Sequence, residues 1–400
     1  MNLSGCYSIF WALALLGSVF LAPDKVVCAQ IVLGQSCALS GPTSFLGTEM
    51  RKGALAFFKS HAPNIILESR DDKYEPVQCI ENTNYFIQKK VTALFGYVGT
   101  PTSKVAVPIA TKNHFIYFGA FTGASFLSDY KKNPYSFSVR ASYNAEIENM
   151  VRRLKEDLNI TKIGLFVQRD AYGMAGVKGL LRAVKVIKGV EITPPVPPIP
   201  KDDAPQEEWD KFWRHVPNYK RNTVAVGRGA RQVSGNGAEA VVLIGAYRPC
   251  AAAINLWRRI GYNVPAINIS FVGTVELGKR LNKTENVYVT QVVPDPWDDT
   301  LPIVKEYHRD LKDRKYGFVS LEGYIAAKVF AKAIKNAGSS PDSDTLKLAI
   351  ESMQDYEAGG FKVSFGPRDH RGMDNVYFTK IEKDKDGLHF PYVNKLVFIK

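Results

Sequence analysis

Two short segments rich in glycine and hydroxyl side chains are well suited to bind a small molecule. They are 99–103 (Gly-Thr-Pro-Thr-Ser) and 119–123 (Gly-Ala-Phe-Thr-Gly), and they follow apolar runs at 93–98 and 115–118. Such runs, ending in turn residues, predict buried parallel strands. Ligands of open α/β sheets bind outside the carboxyl ends of the strands. An ordinary turn explains either segment alone, but two on neighbouring strands favour a ligand crevice.

Other chemistry is weakly represented. The six histidines are scattered without metal-ligand spacing, and there is no Gly-x-Ser-x-Gly elbow, Walker A sequence or dinucleotide-binding glycine pattern. A carboxylate pair at Asp71 and Asp72 could be catalytic, but capping of the next helix is the simpler explanation for it. We therefore expect a protein that is not an enzyme and holds no metal or cofactor.

The composition is that of a folded protein with a basic surface. Hydrophobic residues make up 46% and charged residues 23% of the 400 residues, and the formal net charge is +13. No run of five basic residues occurs, so we expect no nucleic-acid partner. Cys37, Cys79 and Cys250 follow the predicted leader, and their odd number leaves at least one thiol unpaired.

The first residues predict an export signal. The segment 9–22 is almost unbroken apolar sequence, and Val27-Cys28-Ala29 offers small residues before a cut ahead of Gln30. Residues 1–29 are therefore predicted to be a cleaved signal peptide, and the mature protein to be periplasmic. No later segment is long and apolar enough for a membrane helix.

The remaining elements alternate between strand and helix. Apolar residues recur on one helical face at 144–158, and strands are predicted at 162–167, 239–244 and 266–271. Alternation of this kind predicts parallel sheets with helices on both faces. There are too many strands for one compact sheet, so the fold class is α/β with two doubly wound parallel-sheet lobes and a cleft between them.

Two segments of the second half depart from this pattern. The segment 193–205 is rich in proline, and 207–219, which carries Trp209, Phe212 and Trp213, predicts a short amphipathic helix. The segment 227–237 is glycine-rich and basic. It lacks the spacing of a phosphate-binding loop, so a flexible surface loop is predicted there.

Taken together, these segments resemble the type I periplasmic binding proteins of the leucine/isoleucine/valine-binding kind, which serve ABC transporters. The matching stretches, in the order of that family, are IVLGQSCALSGPTSFLGTEMRKGALAFF, RDDKYEP, GYVGTPTS, FGAFTGASFL, QRDAYGMAG, YKRNTVAV, IGAYRPCAAAINLWRRIG, VVPDPWDD and SLEGYIAAKVFAKAI. Each stretch is moderately specific, but the ordered set covers nearly the whole mature chain.

The resemblance implies two lobes joined by a hinge of three crossovers. The amino-terminal lobe would comprise 30–143 and 294–358, and the carboxyl-terminal lobe 144–293 and 359–400. The crossovers would lie near 142–144, 293–297 and 356–360. Closure of the two lobes on one small ligand is the mechanism that this architecture implies.

The resemblance also implies a set of ligand-binding residues. The first lobe would contribute residues that follow its strands and an apolar wall, and the second lobe aromatic covers. The predicted set is Leu46 (or Phe45), Thr100, Thr102, Ala120, Phe121, Thr122, Tyr172, Tyr247, Phe271 and Tyr324.

One departure concerns the ligand. Amino-acid binders of this family carry an acidic residue that pairs with the ammonium group, but here the corresponding region reads Ser270-Phe271-Val272-Gly273. A buried ammonium without a partner is costly. The ligand is therefore expected to be an amino acid only if another acid, such as Glu276, reaches it; an anionic or aromatic acid suits the cleft better.

The predicted function is capture of a small molecule, an amino acid or a related organic acid, and its delivery to the membrane permease of an ABC importer. We expect a monomer. A ligand-sensing domain of the same fold that signals to a receptor or kinase is the alternative. A secreted α/β enzyme would need a nucleophile–base pair, and the sequence shows none.

Overall fold

The computed structural model describes residues 30–399, so the predicted signal peptide lies outside the described residues. The first lobe begins with eight elements, which alternate between strand and helix except for the last two, both strands. They are β1 (Ile31–Cys37), α1 (Ser44–His61), β2 (Ile65–Asp71), α2 (Pro76–Gln88), β3 (Ala93–Phe95), α3 (Thr100–Lys112), β4 (Tyr117–Phe118) and β5 (Ser136–Phe137). The strands form a parallel sheet in the order β2-β1-β3-β4-β5.

Helices cover both faces of this sheet because its side chains alternate. Leu94 and Tyr117 pack against α2 and α3, whereas Phe95 and Phe118 pack on the opposite face, against Phe330. This period of two is the pattern expected of a strand that is buried on both sides.

The chain then enters the second lobe. Its elements are α4 (Tyr143–Leu158), β6 (Lys162–Gln168), α5 (Ala171–Val186), β7 (Glu191–Ile192), α6 (Gln206–His215), β8 (Asn218–Tyr219), α7 (Gly227–Ser234), β9 (Ala240–Ile244), α8 (Tyr247–Arg259), β10 (Ala266–Asn268), α9 (Thr274–Arg280) and β11 (Val287–Gln291). In the second sheet the strands β11-β10-β9-β6-β7 lie side by side in that order, and β8 also pairs with β6. The sheets and helices confirm the predicted α/β fold.

The remaining elements complete both lobes. They are α10 (Pro302–Asp310), α11 (Phe318–Ala337), α12 (Ser343–Glu351), β12 (Tyr356–Glu357), β13 (Lys362–Val363), β14 (Tyr377–Lys380), β15 (Glu382–Asp384) and β16 (Gly387–His389). Helix α11 lies against α1, and the backbones approach closely: a Cβ on Gly53 would lie 1.7 Å from the Ser320 carbonyl oxygen. Strand β14 joins the second sheet antiparallel to β11.

The third passage between the lobes lies later than the predicted 356–360. Strands β12 and β13 form a hairpin, and Arg371 still bridges Ser138 at the end of the first sheet. The chain reaches the second sheet only at Tyr377. Backbone hydrogen bonds therefore hold the stretch before Tyr377 against the first lobe. No local feature of the sequence predicts these bonds.

The predicted flexible loop at 227–237 is also wrong, because Gly227–Ser234 forms helix α7. Ala230 and Val233 are fully buried. Gly229 lies so close to β8 that a Cβ there would be 2.5 Å from the Asn218 carbonyl oxygen. Packing therefore outweighs the poor helix propensity of Gly227 and Gly229 in this helix.

Candidate ligand-binding cleft

The carboxyl ends of the first sheet bring two threonines together. Thr100 begins α3 and Thr122 follows β4, and their side-chain oxygens lie 2.7 Å apart in a hydrogen bond. Gly99 precedes α3 with φ +105° and offers no side chain to cap the helix. Uncapped helix amides and nearby hydroxyls favour a carboxylate at this point.

Two tyrosines from the other side of the cleft add their hydroxyls to those of Thr100 and Thr122. Tyr143 lies in the first turn of α4 and Tyr172 in the first turn of α5, and their ring centroids are 5.5 Å apart. Both are at least 99% buried, and neither hydroxyl has a well-aligned hydrogen-bond partner among residues 30–399. The Tyr143 hydroxyl lies near those of Thr100 and Thr122, which lower its pKa, but burial dominates and raises it to about 12.

An unpaired buried hydroxyl costs free energy, so its presence in both tyrosines requires an explanation. Burial also raises the pKa of Tyr172, so each phenol stays protonated and can donate a hydrogen bond. Both groups are therefore suited to bind an acceptor such as a carboxylate oxygen.

Four buried aromatic rings pack together between the lobes, next to these hydroxyls. Phe271, from the second lobe, lies 4.7 Å from Tyr172, 5.2 Å from Phe121 and 6.0 Å from Tyr74, between ring centroids. Phe121 and Phe271 were predicted site residues. Tyr74 was missed, although the RDDKYEP segment that contains it was recognised, because nothing in that segment shows which way the ring points.

A second contact region between the lobes includes Leu46 of the first lobe and Tyr247 of the second. Phe45 packs edge-on against Tyr247 at 5.9 Å between ring centroids. Gly273 has φ +80°, and a Cβ there would lie 2.8 Å from Leu46 Cδ2. The positive φ favours glycine here, and a Cβ would also press on the Leu46 side chain. The structure thus places Leu46 and Tyr247 between the lobes, beside the cleft.

Two predicted residues lie at the cleft but direct their side chains elsewhere. The Thr102 hydroxyl donates to the carbonyl oxygens of Val98, at 2.6 Å, and Gly99, at 2.9 Å. Ala120 packs into the apolar core on the outer side of the sheet, with Tyr97 and Tyr117. Both therefore shape the loops rather than present side-chain groups to a ligand.

Tyr324 lies away from the cleft, contrary to the prediction. Its hydroxyl donates to Asp310, at 2.6 Å, and to Glu306, at 2.9 Å, close to His61. His61 ends α1, at the amino end of the first sheet, which is the end opposite to the cleft. The two carboxylates are also paired with Arg309 and Lys328, so this group forms a closed network.

A buried ionic network near the first crossover was also missed. The Arg140 guanidinium bonds Glu146, at 3.0 Å, and Glu322, at 3.2 Å, and it contacts the Ser270 hydroxyl. Glu146 accepts further hydrogen bonds from Ser270 and Thr290. One guanidinium thus faces two carboxylates, and burial raises the pKa of Glu322 to about 7 although Arg140 opposes this.

Polar contacts also join the lobes directly. Gln168 donates to the Tyr74 hydroxyl at 3.3 Å. Arg221, in the second lobe, pairs with Glu75 of the first lobe at 2.6 Å and with Asp170 at 3.2 Å. These bonds hold the two lobes together on the side of α5.

Asp71 and Asp72, predicted as helix caps or a catalytic pair, instead accept hydrogen bonds from loop amides.

The comparisons agree with this architecture. The periplasmic binding protein profile matches residues 30–386, and the chain belongs to that family. A possible leucine/isoleucine/valine-binding protein from Rhodopirellula baltica is 31% identical, over 92% of this chain and 98% of that one, with a TM-score of 0.79. None of the curated protein sequences compared with this chain matches it.

Two more distant structures share the fold. A solute-binding protein of an ABC transporter from R. palustris, in complex with 4-hydroxybenzoate, is 16% identical over 91% of this chain and 96% of that one, with a TM-score of 0.74. A branched-chain amino acid ABC transporter protein from Thermus thermophilus, with bound valine, is 18% identical over 92% and 97%, with a TM-score of 0.72.

These matches confirm the predicted likeness to type I binding proteins of the leucine-binding kind. The family consists of solute-binding proteins, not enzymes, and family membership implies a location outside the cytoplasm. Between residues 30 and 399, no helix is both long and apolar enough to cross a bilayer.

Proposed function

We propose that this protein captures a small carboxylic acid between its lobes and delivers it to an ABC importer. The observation that carries the proposal is the pair of buried hydroxyls of Tyr143 and Tyr172, neither with a well-aligned partner among residues 30–399, beside Thr100 and Thr122. A ligand carboxylate there would supply the missing acceptors. It would also contact both lobes, so binding would stabilise the closed form.

The charges around the cleft favour an acid without an α-amino group. Glu146 and Glu322 already face Arg140, and Asp170 faces Arg221. Glu276, which could otherwise pair with a ligand ammonium group, pairs with Lys279 and Arg280. An ammonium group would therefore have to compete with these cations, whereas a neutral body would not.

Matched pairs of ligands test this preference. We expect isocaproate and hydrocinnamate to raise the unfolding temperature, and leucine and phenylalanine, which differ mainly by the ammonium group, to have little effect. 4-Hydroxybenzoate, which the R. palustris protein binds, belongs in the same panel. A ligand at 100 times its Kd adds about 2.7 kcal/mol of stability. Stabilisation by the amino acids alone would contradict the proposal.

A variant pair tests the position of the site. Thr122→Val removes one hydroxyl of the Thr100–Thr122 pair and should reduce the ligand-induced shift. Thr111→Val is the control, since the Thr111 hydroxyl is also buried and has no partner within the described residues, but it lies at the far end of α3. Equal shifts in both variants would place the ligand elsewhere.

Transport and export need separate tests. Cells that lack the protein should lose high-affinity uptake of the acid that binds best; unchanged uptake would favour the sensing alternative. We also propose that residues 1–29 are a cleaved signal peptide and that the protein is periplasmic. The protein purified from the periplasm should then begin at Gln30.

A further inference from the structure

A cavity of about 770 Å³ opens from the cleft along α5. Thr100 and Tyr143 lie at its cleft end, and the same cavity is lined by Met174, Lys178 and Arg182. It is therefore continuous with the predicted carboxylate site, and it is large enough for much more than a carboxylate.

One face of α5 forms the length of this cavity. The lining residues Ala171, Met174, Ala175, Lys178 and Arg182 recur at the spacing of a single helical face. With a rise of about 1.5 Å per residue, Lys178 lies roughly 10 Å and Arg182 roughly 16 Å along the axis from Ala171. The cavity thus has a cleft end and a distal end.

The distal end carries an excess of positive charge. Lys178 and Arg182 line the cavity, and neither has an ion-pair or hydrogen-bond partner in the described part of the chain. Lys104, from α3, also lines it and lies 5.6 Å from the ring centroid of Phe126. Asp202 is the one lining carboxylate without an ion pair within residues 30–399. Over the cavity as a whole, three cations thus face one unpaired anion, and two of the three, Lys178 and Arg182, lie at the distal end.

The middle of the cavity is apolar and aromatic. Trp209 and Trp213 of α6 form one wall, and Phe126 and Met174 lie among the other lining residues. An ion pair between Arg169, which precedes α5, and Asp210 fixes α6 over the cavity. Aromatic walls of this kind suit the hydrocarbon part of a ligand.

From this arrangement we propose that the ligand is an elongated dicarboxylic acid. Its first carboxylate binds at Thr100 and Tyr143, its apolar middle packs against Trp209 and Phe126, and its second carboxylate binds at Lys178 and Arg182. This inference rests on the proposed function, because it uses the same carboxylate site and adds a second one.

Sebacate and decanoate form a matched pair of probes, since they differ in the carboxylate at one end. In isothermal titration with the purified protein, sebacate should bind about fivefold to tenfold more tightly, as expected for one extra carboxylate at two partly exposed cations. The doubly substituted variant Lys178→Gln/Arg182→Gln should lose this preference and bind decanoate unchanged. Lys185→Gln, on the same helix but outside the cavity, should behave as the unsubstituted protein.

A third variant separates the apolar part of the site. Trp209→Ala should weaken sebacate and decanoate equally, because it removes packing that both probes share. Equal affinity of the two probes, or a preference that survives the double substitution, would overturn the dicarboxylate inference and leave the proposed function standing. Failure of every carboxylic acid to bind would overturn both.

Discussion

Removal of the Tyr172 hydroxyl should change stability and affinity in opposite directions. In Tyr172→Phe the ring stays, and with it the contact to Phe271 at 4.7 Å. The hydroxyl has no hydrogen-bond partner among residues 30–399, and an unpaired buried polar group costs about 1–3 kcal/mol. We therefore expect the free energy of unfolding without ligand to rise by about 1 kcal/mol.

Ligand binding should weaken in the same variant. A lost hydrogen bond to a ligand carboxylate costs about 1 kcal/mol, which corresponds to a roughly fivefold higher Kd. Urea denaturation without ligand and isothermal titration with the acid that binds best measure the two effects. A variant that is less stable than the unsubstituted protein, and that binds equally well, would refute the assignment of Tyr172.

Tyr219→Phe is the matched control. Tyr219 is also a buried tyrosine of the second lobe, but its hydroxyl donates to Gln168 at 2.9 Å and accepts from the Ala246 amide at 2.9 Å. Its removal should lower the free energy of unfolding by about 1–3 kcal/mol, because a buried amide loses its acceptor. The two tyrosines should thus respond with opposite signs.

Three further predictions concern the interlobe contacts, the pH dependence and the residue placed outside the cleft. Glu75→Gln removes the ion pair with Arg221 that joins the lobes, so ligand affinity should fall by at most about fivefold. Because the lobes are then held less tightly, solution scattering should give a larger mean radius of gyration. Burial raises the pKa of Asp72 from 3.8 to about 7. Between these pH values the Asp72 carboxyl is ionised in the unfolded chain but protonated in the folded protein, so the free energy of unfolding falls as pH rises. Asp72→Asn should flatten this slope, as measured by urea denaturation at several pH values. Tyr324→Phe should lower stability by loss of the hydrogen bond to Asp310 but leave the Kd unchanged, and a change in Kd would place Tyr324 back in the cleft.

The sequence by itself determined the fold class and the position of the polar segments in the cleft. Apolar runs at 93–98 and 115–118 predicted strands that lead into the segments with Thr100 and Thr122, and the structure brings these two hydroxyls to 2.7 Å. The reason is that carboxyl ends of neighbouring parallel strands meet at one edge of a sheet. A strand's side-chain alternation and a helix's apolar face are local properties, so local sequence reports them.

Tertiary structure alone decided the pairing of distant side chains. Helix α11 is buried on almost every side, so its hydrophobic pattern could not show that Tyr324 turns toward Asp310 rather than the cleft. Similarly, the pairing of Arg140 with Glu322 joins residues far apart in the chain. Packing settles such contacts, because the charge balance of a buried group depends on every element around it and not on its sequence neighbours.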